Sequence, residues 1–343
     1  MADFITVMIG GLIIGILFGF VLSRGRFCMN SAFRDIVLLK EYGLVKAVLI
    51  AILTCMVGFG IMALASIVTY APKPFTLAGS ITGGLVFGMG MVLAAGCASG
   101  TTYRVGEGMV GSLVALLGLA IGGFATATGA LSGVKGALQA ANLGPIMVFG
   151  ELTPIFGLII GAVGLVAVIY FWVLPEMREK EGDKLLDFSD LKVKIFKNGW
   201  SWYGTGIAIG VINIVAWLVS FSAGRNYPLG ITAGWIGGLN FLVTNNIEAV
   251  NWLTWVVLGI VIGALIATLI AGEWSLRTPK DAKVLLLQFV GGFLMGFGAV
   301  VAMGCNIGNL LSGIPQFSVG SLVASAGIIL GCWIMAYIMF MRE

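Results

Sequence analysis

The chain has 343 residues, of which 59% are hydrophobic and only 10% charged, with 19 Lys and Arg against 15 Asp and Glu and no histidine. A soluble domain carries about 25% charge, so no water-facing shell can be assembled from this composition. The net charge of +4 says little about partners, because the basic residues sit in loops, and no nucleic-acid partner is expected. Without histidine there is no histidine proton relay, and five cysteines with no CxxC or Cys/His pattern exclude a zinc site.

Apolar runs near the ~20 residues that cross a bilayer predict membrane helices over Phe4–Leu22, Ala47–Val68, Leu152–Val173, Gly204–Phe221, Trp252–Ala271 and Ser321–Met341. The first run begins Met-Ala-Asp-Phe, with no basic n-region and no small-residue cleavage site after it, and reads as a retained helix. Next, SRGRFCMNS (residues 23–31) predicts a short re-entrant segment starting at Cys28. The glycine-rich helix 79–95 is expected to break near Gly96, since glycine tolerates positive φ, which puts Cys97 deep in the membrane. Gly304-Cys305 repeats the arrangement from the opposite direction. Broken backbone at that depth is tolerated only where it is buried in protein or lines a cavity, so three breaks predict a central cavity.

The chain is a repeat. GGLVFGMGMVLAAGCASG (83–100) and GGFLMGFGAVVAMGCNIG (291–308) agree without gaps at nine of eighteen positions. Ser112-Leu-Val-Ala115 matches Ser321-Leu-Val-Ala324, and Gly25-Arg26 matches Gly224-Arg225, where Cys28 faces Tyr227. Basic residues in short loops mark the cytoplasmic side. Arg34, Lys40 and Lys46 follow the first GR motif, whereas 236–251 after the second holds no Lys or Arg; the next loops reverse the pattern, with Arg277, Lys280 and Lys283 in the second half. Lys73 stands against this assignment. Equivalent loops facing opposite sides define an inverted repeat, an arrangement common in transporters with sites near the midplane. The predicted fold is an all-α polytopic membrane protein of about nine spans, a pseudo-two-fold hourglass with re-entrant segments meeting at the centre. Its parts are 1–173 (one half plus an extra span at about 152–173), a charged cytoplasmic linker at 174–203 with Arg178, Lys180, Lys184, Lys192, Lys194 and Lys197, and 204–343. The N-terminus is expected outside and Arg342 inside.

Cys55 and Cys332 lie within apolar helices and read as small buried hydrophobes. Gly83, Gly88, Gly291 and Gly296 read as helix-packing faces. Sulfur at both symmetric positions, Cys97 and Cys305, points instead to thiol chemistry or thiol hydrogen bonding, since alanine or serine would pack as well. Arg26 and Arg225 are symmetric cations following apolar spans, either cavity-facing or snorkelling. Thiols, arginines, freed backbone N–H groups beside Gly96 and Gly304, and the polar side chains Ser99, Thr101, Thr102 and Asn306 suit a small, soft anion; thiols are weak, polarizable donors. No GxxxxGK[ST] loop is present, so no nucleotide cofactor is expected.

GRFCMNSAFRD, AAGCASGTTYRVGEG and AMGCNIGNLLSG resemble, in order and over nearly the whole chain, the YeeE/YedE family of bacterial inner-membrane proteins with a sulfur-transport domain. The resemblance implies an hourglass bundle and thiosulfate uptake, with Cys28, Cys97 and Cys305 hydrogen-bonding the sulfur of the ion. It further implies a separate cytosolic TusA-like sulfur carrier as partner. On this reading Cys97 sits at the narrowest point with Cys305 beside it and Cys28 as a neighbouring station, and no cofactor is used. The alternatives are a selenium-containing cargo, or a membrane sulfurtransferase in which Cys97 forms a persulfide. The lack of a histidine base weighs against the enzyme.

Overall fold

The computed structural model describes residues 4–180, 196 and 199–341. The linker cations Lys184, Lys192, Lys194 and Lys197, and Arg342, lie outside the described residues. Among those described, nine helices or helix pairs are long and apolar enough to cross a membrane. In chain order the first half comprises α1 (Phe4–Arg24), α2 (Met29–Leu38), α3 (Gly43–Leu64), α4 (Leu77–Leu93), α5 (Ala98–Gly106) and α6 (Val110–Ala127). A connecting region follows, with α7 (Ser132–Leu138), α8 (Thr153–Val168), a π turn (Ile169–Val173) and α9 (Leu174–Lys180). The second half contains α10 (Trp202–Ser222), α11 (Thr232–Thr244), α12 (Trp252–Ala271), α13 (Ala282–Val301), a π turn (Ile307–Leu311) and α14 (Val319–Phe340). One small antiparallel pair, β1 (Pro74–Thr76) with β2 (Asn142–Pro145), ties two loops together.

Helix packing is reciprocal between the halves. If α1, α3, α4 and α6 correspond to α10, α12, α13 and α14, every major contact maps onto another: α1 on α12 becomes α10 on α3, and α6 on α13 becomes α14 on α4. The pairs α4–α13 and α1–α10 map onto themselves. Individual glycines obey the same operation. A Cβ added at Gly83 would meet Ala302, and one at Gly291 would meet Ala94. A Cβ at Gly88 would strike the Ile328 carbonyl, and one at Gly296 the Leu119 carbonyl. These small residues let backbones approach without intervening side chains, the usual basis of tight packing where lipid removes the hydrophobic drive between helices. The extra span, α8 through α9, lies outside this symmetry and packs along α3, with Gly161 against Met56.

The four helix ends nearest the centre share one geometry. Each closes with a left-handed residue, and three carry the paired backbone bonds of a Schellman motif, with Gly96 N–H to Met91 O at 3.0 Å, Phe27 N–H to Leu22 O at 3.0 Å and Arg225 N–H to Ser220 O at 2.8 Å as the outer bonds; at the fourth, Met303 N–H donates to Val300 O at 3.3 Å. The left-handed residues are Arg26, Ala95, Gly224 and Met303. Positive φ is expected at Gly96 and its repeat counterpart Gly304, and the structure corrects this: the residue before each glycine takes it instead. Ala95 and Met303 adopt φ 55° despite their side chains, at roughly 1–2 kcal/mol each. Gly96 instead provides room, because a Cβ there would lie 3.1 Å from Thr101 Cγ2 and 3.2 Å from Arg104 Nη1.

Candidate functional site

Each motif cysteine occupies the same structural position, four residues beyond the end of a helix and immediately before the next helical turn. Cys28 precedes α2 and Cys97 precedes α5, both as N-caps in extended conformation, and Cys305 precedes the turn that leads into the π segment. All three are buried and free of disulfides. Cys97 Sγ accepts from Gly100 N–H at 3.3 Å and lies 3.4 Å from Ser99 Oγ. Its neighbouring sulfur is that of Cys28, at 3.7 Å. Cys305 belongs to a different chamber, which changes the expected order of the thiols. Gly100 is required by this pair: a Cβ there would fall 2.7 Å from Cys28 Sγ.

Two cavities flank the thiols. The first, about 240 Å³, is lined by Cys305, Gly304, Gly308, Lys73, Arg225 and Tyr227, among others. Lys73 lies over the Tyr227 ring at 4.9 Å, with its ammonium tip against Gly304. Burial pushes its ammonium down to about 8, with Arg225 adding to the effect and Cys305 opposing it. Arg225 donates to the carbonyls of Tyr227 and Pro228, and Tyr227 Oη donates to Gly308 O at 2.8 Å. Burial lowers the Arg225 guanidinium to about 10, still charged at neutral pH. The second cavity, about 330 Å³, is lined by Arg26, Arg104, Arg277, Glu107, Glu273 and Ser23, with Tyr103, Met109 and Thr268. Arg104 Nη1 donates to Ala95 O at 2.6 Å, which holds a cation against the break that presents Cys97.

The cavities adjoin opposite ends of α12, one at Leu253 and the other at Thr268, a separation of about 22 Å along a helix rising 1.5 Å per residue. Between them the halves touch through Asn306 Nδ2 and Met29 Sδ at 3.0 Å, linking the residue after Cys305 to the residue after Cys28. Lys73, Arg225 and Cys305 line one cavity, Cys28, Cys97 and Ser99 cluster together, and Arg104 lines the other cavity beside the break before Cys97.

The remaining expected site residues divide. Arg26 is exposed in the second cavity and 4.0 Å from Glu273. Thr101 Oγ1 donates to Cys97 O and Ala98 O, and Thr102 Oγ1 to Ala98 O, so both hydroxyls are spent on helix α5. Lys73 and Glu107 are residues that the sequence reading did not select. The signal for Lys73 was its violation of the loop-charge pattern. Cys55 and Cys332 are buried away from both cavities, Cys55 between Gly210 O at 3.7 Å and Asn213 Nδ2 at 3.4 Å. Cys55→Ala is expected to leave transport within about twofold of wild type while costing on the order of 1 kcal/mol of stability; transport and thermal melting of the purified variant check both.

Nine membrane-length helices or helix pairs among the described residues, with breaks beside buried thiols and two cation-lined cavities, are the architecture of a membrane transport protein. The chain belongs to the family described as sulphur transport, whose model matches residues 24–334. It is 37% identical to a thiosulfate transporter, TsuA, of Spirochaeta thermophila, over 97% of this chain and 99% of that protein. It is 34% identical to the thiosulfate transporter TsuA of Escherichia coli K12, over 98% and 96%. A probable transporter, YedE, of the same bacterium is 36% identical over 77 residues, 22% of this chain and 19% of its own length.

Proposed function

We propose that this protein takes up thiosulfate across the bacterial cytoplasmic membrane. The observation that carries the proposal is the end-to-end similarity to two proteins named as thiosulfate transporters. The short match to YedE-type proteins gives a selenium-containing cargo less support. The geometry agrees with the chemistry of the ion: its sulfonate end suits Lys73 and Arg225, and its terminal sulfur suits a soft donor such as the Cys305 thiol. From there the sulfur passes to Cys28 and Cys97 by exchange of hydrogen bonds, with Ser99 and Asn306 as polar neighbours and no covalent change. Loop charges support an inverted repeat of 1–173 and 204–343, an outer N-terminus and a cytoplasmic C-terminus. The Lys73 cavity is then the entrance and the Arg104 cavity the exit. A separate TusA-like carrier receiving the sulfur on the cytoplasmic side is supported by the family resemblance.

Uptake of labelled thiosulfate into proteoliposomes, with sulfate and selenite as competitors, tests this reading. Saturable uptake spared by excess selenite is expected. Well-folded protein that takes up no thiosulfate would overturn it and turn attention to selenium cargo.

A further inference from the structure

The two cavities differ in charge, and one of the differences falls on a position that the repeat matches between the halves. The Lys73 cavity is lined by two cations and no carboxylate. The other holds Arg26, Arg104 and Arg277 together with Glu107 and Glu273. Glu273 is engaged by Arg24 at 2.9 Å and Arg26 at 4.0 Å. Glu107 has no cation within ion-pair distance among the described residues; Ser23 Oγ donates to its Oε1 at 2.7 Å. Helices α6 and α14 start at equivalent places, each after a left-handed residue, Gly108 or Phe317, and an N-cap, Met109 or Ser318. Counting back one more residue pairs Glu107 with Gln316. Gln316 is fully buried, its amide bonded to Ala71 N–H and Ser312 O. One end of the molecule thus presents an ionisable carboxyl to its cavity, and the other holds a neutral structural amide.

The charges facing Glu107 are Arg24, Arg104 and Arg277, with Arg26, Glu273 and the Tyr103 phenol in the same cavity. Burial lifts its carboxyl above the usual carboxylate range, with the Ser23 hydrogen bond and the arginines pulling it back. We infer that Glu107 governs release at this end: its carboxylate competes with the departing anion for Arg104 and Arg277, and once protonated it lets the cavity hold the anion more tightly. The formal charge of the lining rises from +1 (three arginines less two carboxylates) to +2 on protonation. The effect is on rate and apparent affinity. The inference rests on the thiosulfate reading above.

Equilibrium binding of labelled thiosulfate to purified Lys73→Gln protein, whose other cavity is weakened, reads this site directly. Affinity is expected to rise several-fold as the pH is lowered from 8 through the carboxylate range, with a midpoint above that of an ordinary carboxylate, and the added Glu107→Gln change should fix it at the tight value throughout. In proteoliposomes, Glu107→Gln alone should lower kcat about fivefold without raising KM. Ser23→Ala keeps the charge and removes only the bond, so it should move the pH midpoint upward; it also provides the answer if Glu107→Gln fails to fold. Wild-type uptake combined with an unchanged pH profile in both Ser23→Ala and Glu107→Gln overturns this inference alone. Absence of wild-type uptake overturns the thiosulfate reading instead.

Discussion

Cys97→Ala is expected to abolish thiosulfate uptake while leaving a folded protein. Cys97 Sγ is the one atom in contact with Cys28 Sγ, Ser99 Oγ and the Gly100 N–H together. Alanine removes that atom, and nothing nearby can take its place, because the Thr101 and Thr102 hydroxyls are bonded to backbone carbonyls. The fold loses an N-cap interaction of about 1 kcal/mol, too little to unfold a bundle packed this closely. Cys97→Ser separates two modes of transfer. Serine keeps a donor but loses the large soft sulfur, so hand-over by hydrogen bonding retains partial uptake, whereas a persulfide route loses nearly all of it. Initial uptake rates at matched protein levels decide, and uptake above half of wild type in Cys97→Ala would remove the thiol pair from the pathway.

The second large effect falls on Lys73→Gln, for which the half-saturation concentration should rise about tenfold. An anion about 4 Å from an ammonium gains about 4 kcal/mol at an effective dielectric of 20. Partial exposure of Lys73 screens this to roughly 1–2 kcal/mol, which is about tenfold in affinity. The pH dependence carries a definite sign. The Lys73 ammonium, lowered to about 8 mainly by burial, is charged below that pH and neutral above it, so wild-type capture should weaken as the outside pH rises through about 8. Lys73→Gln should lack this limb and keep the weaker capture supplied by Arg225. A variant with wild-type half-saturation, or one that keeps the alkaline limb, would show that Lys73 does not meet the ion.

Much of the architecture is legible in the sequence because hydrophobic length and repeated small residues are local signals. The spans at Phe4–Leu22 and Trp252–Ala271, the helix breaks before Cys97 and Cys305, and the packing role of Gly83 and Gly291 could all be read this way. The breaks themselves were placed one residue off. Glycine's freedom at positive φ pointed to Gly96 and Gly304, yet Ala95 and Met303 take the left-handed conformation, because the crowding of Gly96 by Arg104 and of Gly304 by Lys73 reserves the glycines for space. That crowding is tertiary and leaves no trace in spacing. The pairing of Cys28 with Cys97 likewise depends on how α2 meets α5, which no repeat alignment contains. Lys73 broke the loop-charge rule because it turns inward to a cavity, and a rule about loops and lipid headgroups cannot register that.

The meeting of α4 and α13 bears on the mechanics of transport. Carriers that rock one half against the other need an interface able to shear. Here that interface is backbone against backbone, with Gly90 and Gly298 set so that a Cβ at either would lie within 2.7 Å of a main-chain oxygen across it. Sliding either helix by a turn would drive Phe87 or Met295 into the space that the glycines keep open. Such a seam resists shear, and on the proposed pathway it leaves the work to side chains: the cysteine thiols, the Asn306 amide and Lys73. A machine built this way has a stroke of a few ångströms, and its speed is set by side-chain rotation within a fixed frame.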